Sequence, residues 1–145
     1  AHKQTVVARA LQRHGSSREP TALLASLGGL ELAGLVGVLE EAARRRIPVV
    51  LDGFITGAAA LVAVRRTPGV RRILIAGHQS AEPGHALVLE ALELIPLLTL
   101  GLCLGEGSGA ALATGLLATA CRIDAEMCTF EEAGIEHPER PGARR

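Results

Sequence analysis

Three short apolar runs, each ended by a turn and followed by a helical stretch, constrain the fold of this 145-residue chain more than any other feature. The runs lie at 47–51, 72–76 and 97–102, and the first two show no alternation of polar and apolar residues. Unbroken apolar runs of this length are typical of strands that are buried on both faces of a parallel sheet. The repeated order of strand, turn and helix therefore predicts an α/β fold, a three-layer parallel sheet with flanking helices of the Rossmann-like type.

The predicted sheet is incomplete. Three strands are few for this architecture, and both edges of the sheet would need a cover. We therefore expect a partner segment, either absent from this chain or supplied by another subunit. The chain also begins at Ala1, without methionine and inside a helical pattern, so we expect a processed or truncated piece of a longer protein.

Apolar residues at helical spacing, interrupted by glycine and proline, predict the helices around the sheet. We place these helices at 1–14, 20–26, 30–46 and 54–66, from the turn at 77–85 to about 94, and at 108–128. Residues 1–135 form one α/β domain in this interpretation. Residues 136–145 carry two prolines and a closing arginine pair, and we expect them to be a flexible tail.

The composition argues against nucleic-acid and membrane partners. Fifteen basic and fifteen acidic residues cancel, and the basic pairs are scattered, so no nucleic-acid surface is expected. The only aromatic residues are Phe54 and Phe130, which removes the platforms for stacking single strands and leaves the core to Leu, Val, Ile and Ala. No apolar run reaches the ~20 residues of a membrane span.

The three cysteines, Cys103, Cys121 and Cys128, are odd in number and form no C-x-x-C pair. This usage fits the reduced thiols of a cytoplasmic protein. Cys121 and Cys128 are seven residues apart on one predicted helix face, where we expect small buried hydrophobic side chains rather than metal ligands.

Three loops follow the predicted strands, at 52–54, 77–85 and 105–109. Because the carboxyl ends of parallel strands meet at one edge of a sheet, these loops should converge. Their glycines let backbone N–H groups approach a ligand, and the helices that follow add positive potential, which favours phosphate. Each loop also has a purely structural interpretation: Asp52 as a helix cap or turn former, and the glycines at 105, 107 and 109 as a tight turn.

Glu106 is the one carboxylate in the last of these loops, held between Gly105 and Gly107. A charged residue at the end of a buried strand lies where an open α/β sheet presents its chemistry. The spacing also imitates a dinucleotide-binding fingerprint, but the strand and acidic residue that should follow the helix are missing.

The second loop carries His78, Ser80, Glu82 and His85. A hydrolase interpretation is weakened because Ser80 lacks the flanking glycines of a nucleophile elbow, and it stays open as a second rival. A metal interpretation is weakened because Pro83 and Gly84 disrupt the helix that would align His85 with Glu82. Histidines that form hydrogen bonds or cap helices are the favoured interpretation.

Four longer segments identify a family. They are GGLELA at 28–33, PVVLDGFI at 48–55, AGHQSAEPGH at 76–85 and LGEGSGAA at 104–111. In these segments, and from Lys3 to about Ile135, the chain resembles the nicotinate-nucleotide:dimethylbenzimidazole phosphoribosyltransferase family, specifically the carboxyl-terminal part of its length. Gly57 and Cys103 depart from what the family leads us to expect.

The resemblance implies a function. The family transfers the phosphoribosyl group of nicotinate mononucleotide to dimethylbenzimidazole, giving α-ribazole phosphate and nicotinate, in synthesis of the lower ligand of cobalamin. It needs no metal or other cofactor and forms homodimers, so we expect a homodimer or association with a missing amino-terminal part. The alternative left open is a non-catalytic module that binds a nucleotide phosphate or serves assembly.

The resemblance also implies roles for single residues. Glu106 matches the general base that takes the proton of the benzimidazole. The positions that match contacts to the nucleotide's phosphate, ribose or nicotinate carboxylate are Lys3, Gly53, Ser80, Leu104 and Gly105. By pattern alone, Lys3 would be a solvated helix residue and Ser80 a helix cap, whereas Phe54 and Ile55 are expected to pack beside the site.

Overall fold

The computed structural model describes residues 2–14 and 17–135. The predicted tail, 136–145, lies outside the described residues. The elements in chain order are helices α1 (His2–His14), α2 (Pro20–Leu27) and α3 (Leu30–Arg45), strand β1 (Val49–Leu51), helix α4 (Phe54–Arg66), a 3₁₀ helix (Pro68–Ile73), strand β2 (Leu74–Ala76), and helices α5 (Pro83–Leu92) and α6 (Ser108–Glu126). The chain divides into two compact units, one up to Thr114 and one from Gly115 onward.

The sheet of the first unit is parallel. Val49 pairs with Leu74, and Leu51 pairs with Ala76. Among the described residues this sheet has two strands, and α3, α4 and α5 flank it in sequence. The predicted α/β fold, with an incomplete parallel sheet and flanking helices, is confirmed.

The predicted third strand, 97–102, is wrong as a continuous strand. Only Leu98 forms a parallel bridge, with His78, although the N–H groups of Gln79 and Ala81 also donate to carbonyls of this segment. Gly101 explains the difference, because its φ of +66° takes the backbone out of the extended region. The segment runs beside the end of β2 without forming a regular ladder.

The core is aliphatic, as the composition predicts. Helix α4 contributes Ala59, Ala60 and Ala63, which are at most 1% exposed. Small side chains on this face let α4 pack closely against α3, whose Val36 and Leu39 are also buried. This close packing holds the start of α4 next to the end of β1.

The expectation that Cys121 and Cys128 are buried is wrong. Both side chains are exposed and free, as is Cys103. The periodicity of α6 suggested a buried face, but most described residues of this helix from Gly115 onward are exposed. Among the described residues, no helix combines the length and the apolar character that crossing a membrane requires.

Close backbone packing at Gly77 predicts a sharp stability effect. A Cβ at this position would lie 2.8 Å from the carbonyl oxygen of Leu51 and 3.2 Å from Cα of Ala110, and neither backbone can yield easily. We expect Gly77→Ala to lower the free energy of unfolding by about 1–3 kcal/mol, measured by circular dichroism in urea.

Gly34→Ala is the matched control, because a Cβ there meets no atom within 4 Å and the site is inside α3. It should raise the free energy of unfolding by up to about 1 kcal/mol through helix propensity. Equal effects of the two substitutions would contradict the close approach at Gly77.

Candidate functional site

A cleft of about 610 Å³ lies at the carboxyl ends of the strands. Its volume is within the range of small-molecule sites. Its walls come from the three loops that the sequence predicts to converge, together with the first turn of α4. The lining residues are Asp52, Gly53, Phe54, Ile55, Thr56, His78, Ser80, Glu82, Leu102, Cys103, Gly105, Glu106 and Gly107.

Glu106 lies at the rim of this cleft in an unusual backbone conformation. Its φ is +54°, and Gly105 and Gly107 on either side have φ of +80° and +79°. Glycine adopts this left-handed region freely, whereas a glutamate in it is strained. Within the described part of the chain, the exposed Glu106 carboxylate has no hydrogen-bond or ion-pair partner, so it is available to a ligand.

The start of α4 forms another wall. Gly53 caps this helix without a side-chain hydrogen bond, and the first helical N–H to donate back to it is that of Gly57, 3.0 Å from the Gly53 carbonyl oxygen. The N–H groups of Phe54, Ile55 and Thr56 therefore have no partner within the helix. Together with the helix dipole, they make this part of the cleft favourable to an anion.

Asp52 links two of the loops. Its Oδ1 accepts a hydrogen bond of 3.0 Å from the N–H of Ala110, in the first turn of α6. Asp52 does not cap the helix that follows it, whose cap is Gly53. Its side chain instead accepts from the first turn of α6, at Ala110, which is 58 residues further along the chain. This bond holds Ala110, four residues beyond Glu106, in the first turn of α6.

His78 is a buried residue of the cleft lining, and His85 is buried beside it and is not part of the lining. His78 is 3% exposed and His85 is fully buried. The two rings meet edge to face with centroids 6.0 Å apart. His78 Nδ1 lies 3.8 Å from Asp52 Oδ1, and its ring occupies the place that a Cβ on Gly109 would take.

The environment of His85 favours its neutral form. Burial lowers the pKa of its imidazole below the usual value, the neighbouring His78 lowers it further, and Asp52 acts in the opposite direction. Its Nδ1 accepts a hydrogen bond of 3.0 Å from the N–H of Ser80. Within residues 2–14 and 17–135, no three His, Cys, Asp or Glu side chains form a possible metal site.

The structure brings together most of the residues that the sequence predicts for the site. Gly53, Ser80, Gly105 and Glu106 line the cleft. Leu104 is next to it but is 77% exposed and is not part of the lining. Lys3 is exposed on α1, which packs against α2, and does not line the cleft.

The buried partners of these residues are what sequence reasoning missed. The hydrogen bonds of Asp52 with Ala110 and of His85 with Ser80 define the loop positions, and neither was predicted as a pair. The available signal was indirect, since Gly109 leaves room for the His78 ring and Gly77 for the close backbones of Leu51 and Ala110.

Known proteins are similar to this chain over most of its length. A family model described as phosphoribosyltransferase matches residues 1–135. The nicotinate-nucleotide–dimethylbenzimidazole phosphoribosyltransferase of Xanthomonas campestris (strain B100) is 56% identical over 135 residues, which cover 93% of this chain and 39% of that protein. The protein of the same name from Desulforudis audaxviator is 52% identical over 136 residues, covering 93% of this chain and 38% of that protein.

A solved structure is also similar. The crystal structure of the phosphoribosyltransferase of that name from Thermus thermophilus matches with a TM-score of 0.84 and 50% identity, covering 91% of this chain and 40% of that one. The chain thus spans about two fifths of the length of the relatives that it matches.

The pKa of His85 predicts how stability depends on pH. In the unfolded chain, this histidine takes up a proton near pH 6.5, the ordinary value, whereas the folded protein resists protonation. The unfolded state then binds more protons, so the free energy of unfolding should fall as pH drops below about 6.5 and level off below the folded-state pKa. Urea unfolding from pH 8 to pH 5 measures this slope.

The variant His85→Asn is the comparison, because asparagine does not titrate and the other histidines are unchanged. Its stability should fall less over the same interval. Parallel pH curves for the two proteins would show that His85 does not carry the effect.

The strained backbone at Glu106 predicts that glycine is tolerated there. Glu106→Gly should raise the free energy of unfolding by about 1 kcal/mol, because the left-handed conformation no longer costs a Cβ contact. Glu90→Gly, at an exposed position inside α5, should lower it by a similar amount. A loss of stability in Glu106→Gly as large as that in Glu90→Gly would contradict the strain.

Proposed function

This chain belongs to the phosphoribosyltransferase family, and on that premise we propose that it supplies the general base and part of the nucleotide site of an enzyme of cobalamin lower-ligand synthesis. The reaction moves the phosphoribosyl group of nicotinate mononucleotide to dimethylbenzimidazole, giving α-ribazole phosphate and nicotinate. The observation that carries the proposal is the unpaired carboxylate of Glu106 at a cleft of small-molecule size.

Glu106 acts as the base in this proposal. A ring nitrogen of dimethylbenzimidazole forms a bond to the anomeric carbon, and the bond from that carbon to the nicotinate nitrogen breaks. The electron pair of the broken bond leaves with nicotinate, whose pyridinium charge is thereby neutralised. Glu106 accepts the benzimidazole proton, which an unpaired carboxylate can do without metal or covalent help.

The surrounding groups would bind the nucleotide. The free N–H groups at the start of α4, next to Gly53, suit a phosphate or carboxylate. Ser80 and Gly105 line the same cleft. We also assign substrate contacts to Lys3 and Leu104, which rest on the resemblance alone. Alignment of two rings at one carbon is the main contribution that such a site makes to the rate.

We also propose that the chain works in association, as a homodimer or with an amino-terminal part. The two-stranded sheet is small for an independent α/β protein, and large apolar side chains of α6 such as Leu112, Leu116 and Ile123 are about half exposed. A cytoplasmic location fits the three unbridged cysteines.

A chimaeric enzyme tests the proposal. This chain replaces the matching part of the Thermus thermophilus enzyme, which is 50% identical, and the formation of α-ribazole phosphate is measured by chromatography. Turnover is expected in the chimaera, and Glu106→Gln should lower kcat by about 10²- to 10⁴-fold, the usual contribution of a general base. Nicotinate mononucleotide should still bind to this variant.

Glu90→Gln is the control, because it removes the same charge from an exposed position on α5, outside the cleft. Its turnover should match that of the parent chimaera. Undiminished turnover in Glu106→Gln would exclude the general-base role. Binding of the nucleotide without any turnover in the parent chimaera would instead favour the non-catalytic module.

A further inference from the structure

We infer that His85 is a positioning residue for nucleotide binding, whose imidazole holds Ser80 in place at the cleft. No metal or proton transfer by His85 is required. The inference rests on the proposed function, because the ligand that Ser80 would contact is the nucleotide of that reaction.

After β2, the backbone N–H of Ser80 has no backbone acceptor among the described residues. Residues 79–81 leave the sheet with Gln79 N–H donating to the Leu98 carbonyl and Ala81 N–H donating to the Leu102 carbonyl, both at 2.9 Å. In an extended chain, the N–H of the residue between them points to the other side. That residue is Ser80, whose partly buried N–H needs another acceptor.

His85 supplies the acceptor on that side. It is the third residue of α5, and its ring lies back over the loop with Nδ1 3.0 Å from the Ser80 nitrogen. The hydroxyl oxygen of Ser80 is 2.9 Å from the same Nδ1. One imidazole nitrogen thus contacts both polar groups of Ser80.

The two contacts fix the protonation of the ring. An N–H can donate only to a nitrogen that carries a lone pair, so Nδ1 is unprotonated and the proton of the neutral ring is on Nε2. The groups near the ring are the edge of His78 and the carboxylate of Asp52. Burial keeps His85 neutral, which agrees with the direction of its pKa.

The arrangement does not suit a catalytic serine and histidine pair. The lone pair that would take the proton of Ser80 is already shared with the Ser80 N–H. In addition, His85 Nε2 is buried without a hydrogen-bond partner among the described residues, so no carboxylate orients the ring as in a triad. Holding the loop is the role that the geometry supports.

Gly57 of α4 lies beside this ring and close to Val88 of α5. A Cβ at position 57 would lie 2.9 Å from Val88 Cγ1 and 3.7 Å from two atoms of the His85 ring. The glycine lets α4 and α5 approach with the imidazole beside them. The ring therefore has α4 on one side and contacts Ser80 through Nδ1.

The contact between His85 and Ser80 has a consequence for nucleotide binding. Both the N–H and the hydroxyl oxygen of Ser80 lie within hydrogen-bond distance of His85 Nδ1, so the position of Ser80 in the cleft lining depends on this imidazole. Loss of the His85 acceptor should therefore weaken nucleotide binding, seen in KM and Kd, with little change in kcat.

The test compares asparagine and glutamine at position 85, whose side-chain amides differ in how far they extend from the backbone. In His85→Asn the side-chain oxygen can take the place of Nδ1, whereas in His85→Gln the amide extends towards the place of Nε2. In the chimaeric enzyme described above, His85→Asn should bind nicotinate mononucleotide within about twofold of the parent. His85→Gln should bind about tenfold more weakly, as expected for one lost hydrogen bond. Calorimetry gives Kd, and initial rates give KM and kcat.

A double-mutant cycle and amide exchange separate positioning from general damage. Ser80→Ala should also weaken binding about tenfold, and adding His85→Gln to it should weaken binding no further. Hydrogen exchange of the Ser80 amide in the 145-residue chain should be slow in the parent and in His85→Asn, and fast in His85→Gln.

Additive losses in the double variant, or equal Ser80 exchange in all three proteins, would overturn the inference. Exchange is independent of the reaction. If no form binds the nucleotide, the proposed function fails, and slow Ser80 exchange that His85→Gln alone accelerates would still support the positioning role.

Discussion

The candidate site depends on how the backbone finds hydrogen-bond acceptors beyond two very short strands. The paired strands span three residues each, and the loops that leave them must remain ordered without a wider sheet. Side chains supply the missing partners: Asp52 accepts from the start of α6, and His85 accepts from Ser80. Both acceptors are largely or fully buried, where a hydrogen bond left unmade is most costly. The loops that line the cleft are therefore held by a few polar contacts next to an aliphatic core.

Local signals in the sequence were sufficient for most elements of the fold. Helix α4 begins and ends at the predicted residues, because Gly53 and Pro68 interrupt an alanine-rich segment on both sides. The first two strands were placed correctly but are shorter than predicted, because a ladder ends where backbone pairing ends and not where the apolar run ends. The apolar run at 97–102 was misinterpreted because a positive φ at Gly101 outweighs the apolar pattern. The prediction that Cys121 and Cys128 are buried was wrong for a related reason. Periodicity shows which residues share a helix face, but it does not show whether another element packs on that face.

The site was predictable to the extent that topology determines it. Parallel strands bring their following loops to one edge, so the convergence of Gly53, Ser80 and Glu106 follows from the order of elements. The contacts that hold these loops could not be predicted in the same way. The partner of Asp52 is 58 residues away, and the imidazole of His85 could equally have capped its own helix. The roles of the site residues remain predictions from the resemblance, and for Lys3 and Leu104 the cleft adds no support.

A core built without tryptophan or tyrosine also determines how this protein can be observed. The chain contains two phenylalanines and neither tryptophan nor tyrosine. It therefore absorbs very little light in the near ultraviolet, where nicotinate and benzimidazole rings absorb. An aromatic ligand in the cleft would be seen with almost no background from the protein. Phe54 lines that cleft, and its weak signal could not obscure a bound heterocycle. The absence of tryptophan and tyrosine from the aliphatic core thus lets the absorbance of the proposed substrates be measured in the presence of the protein.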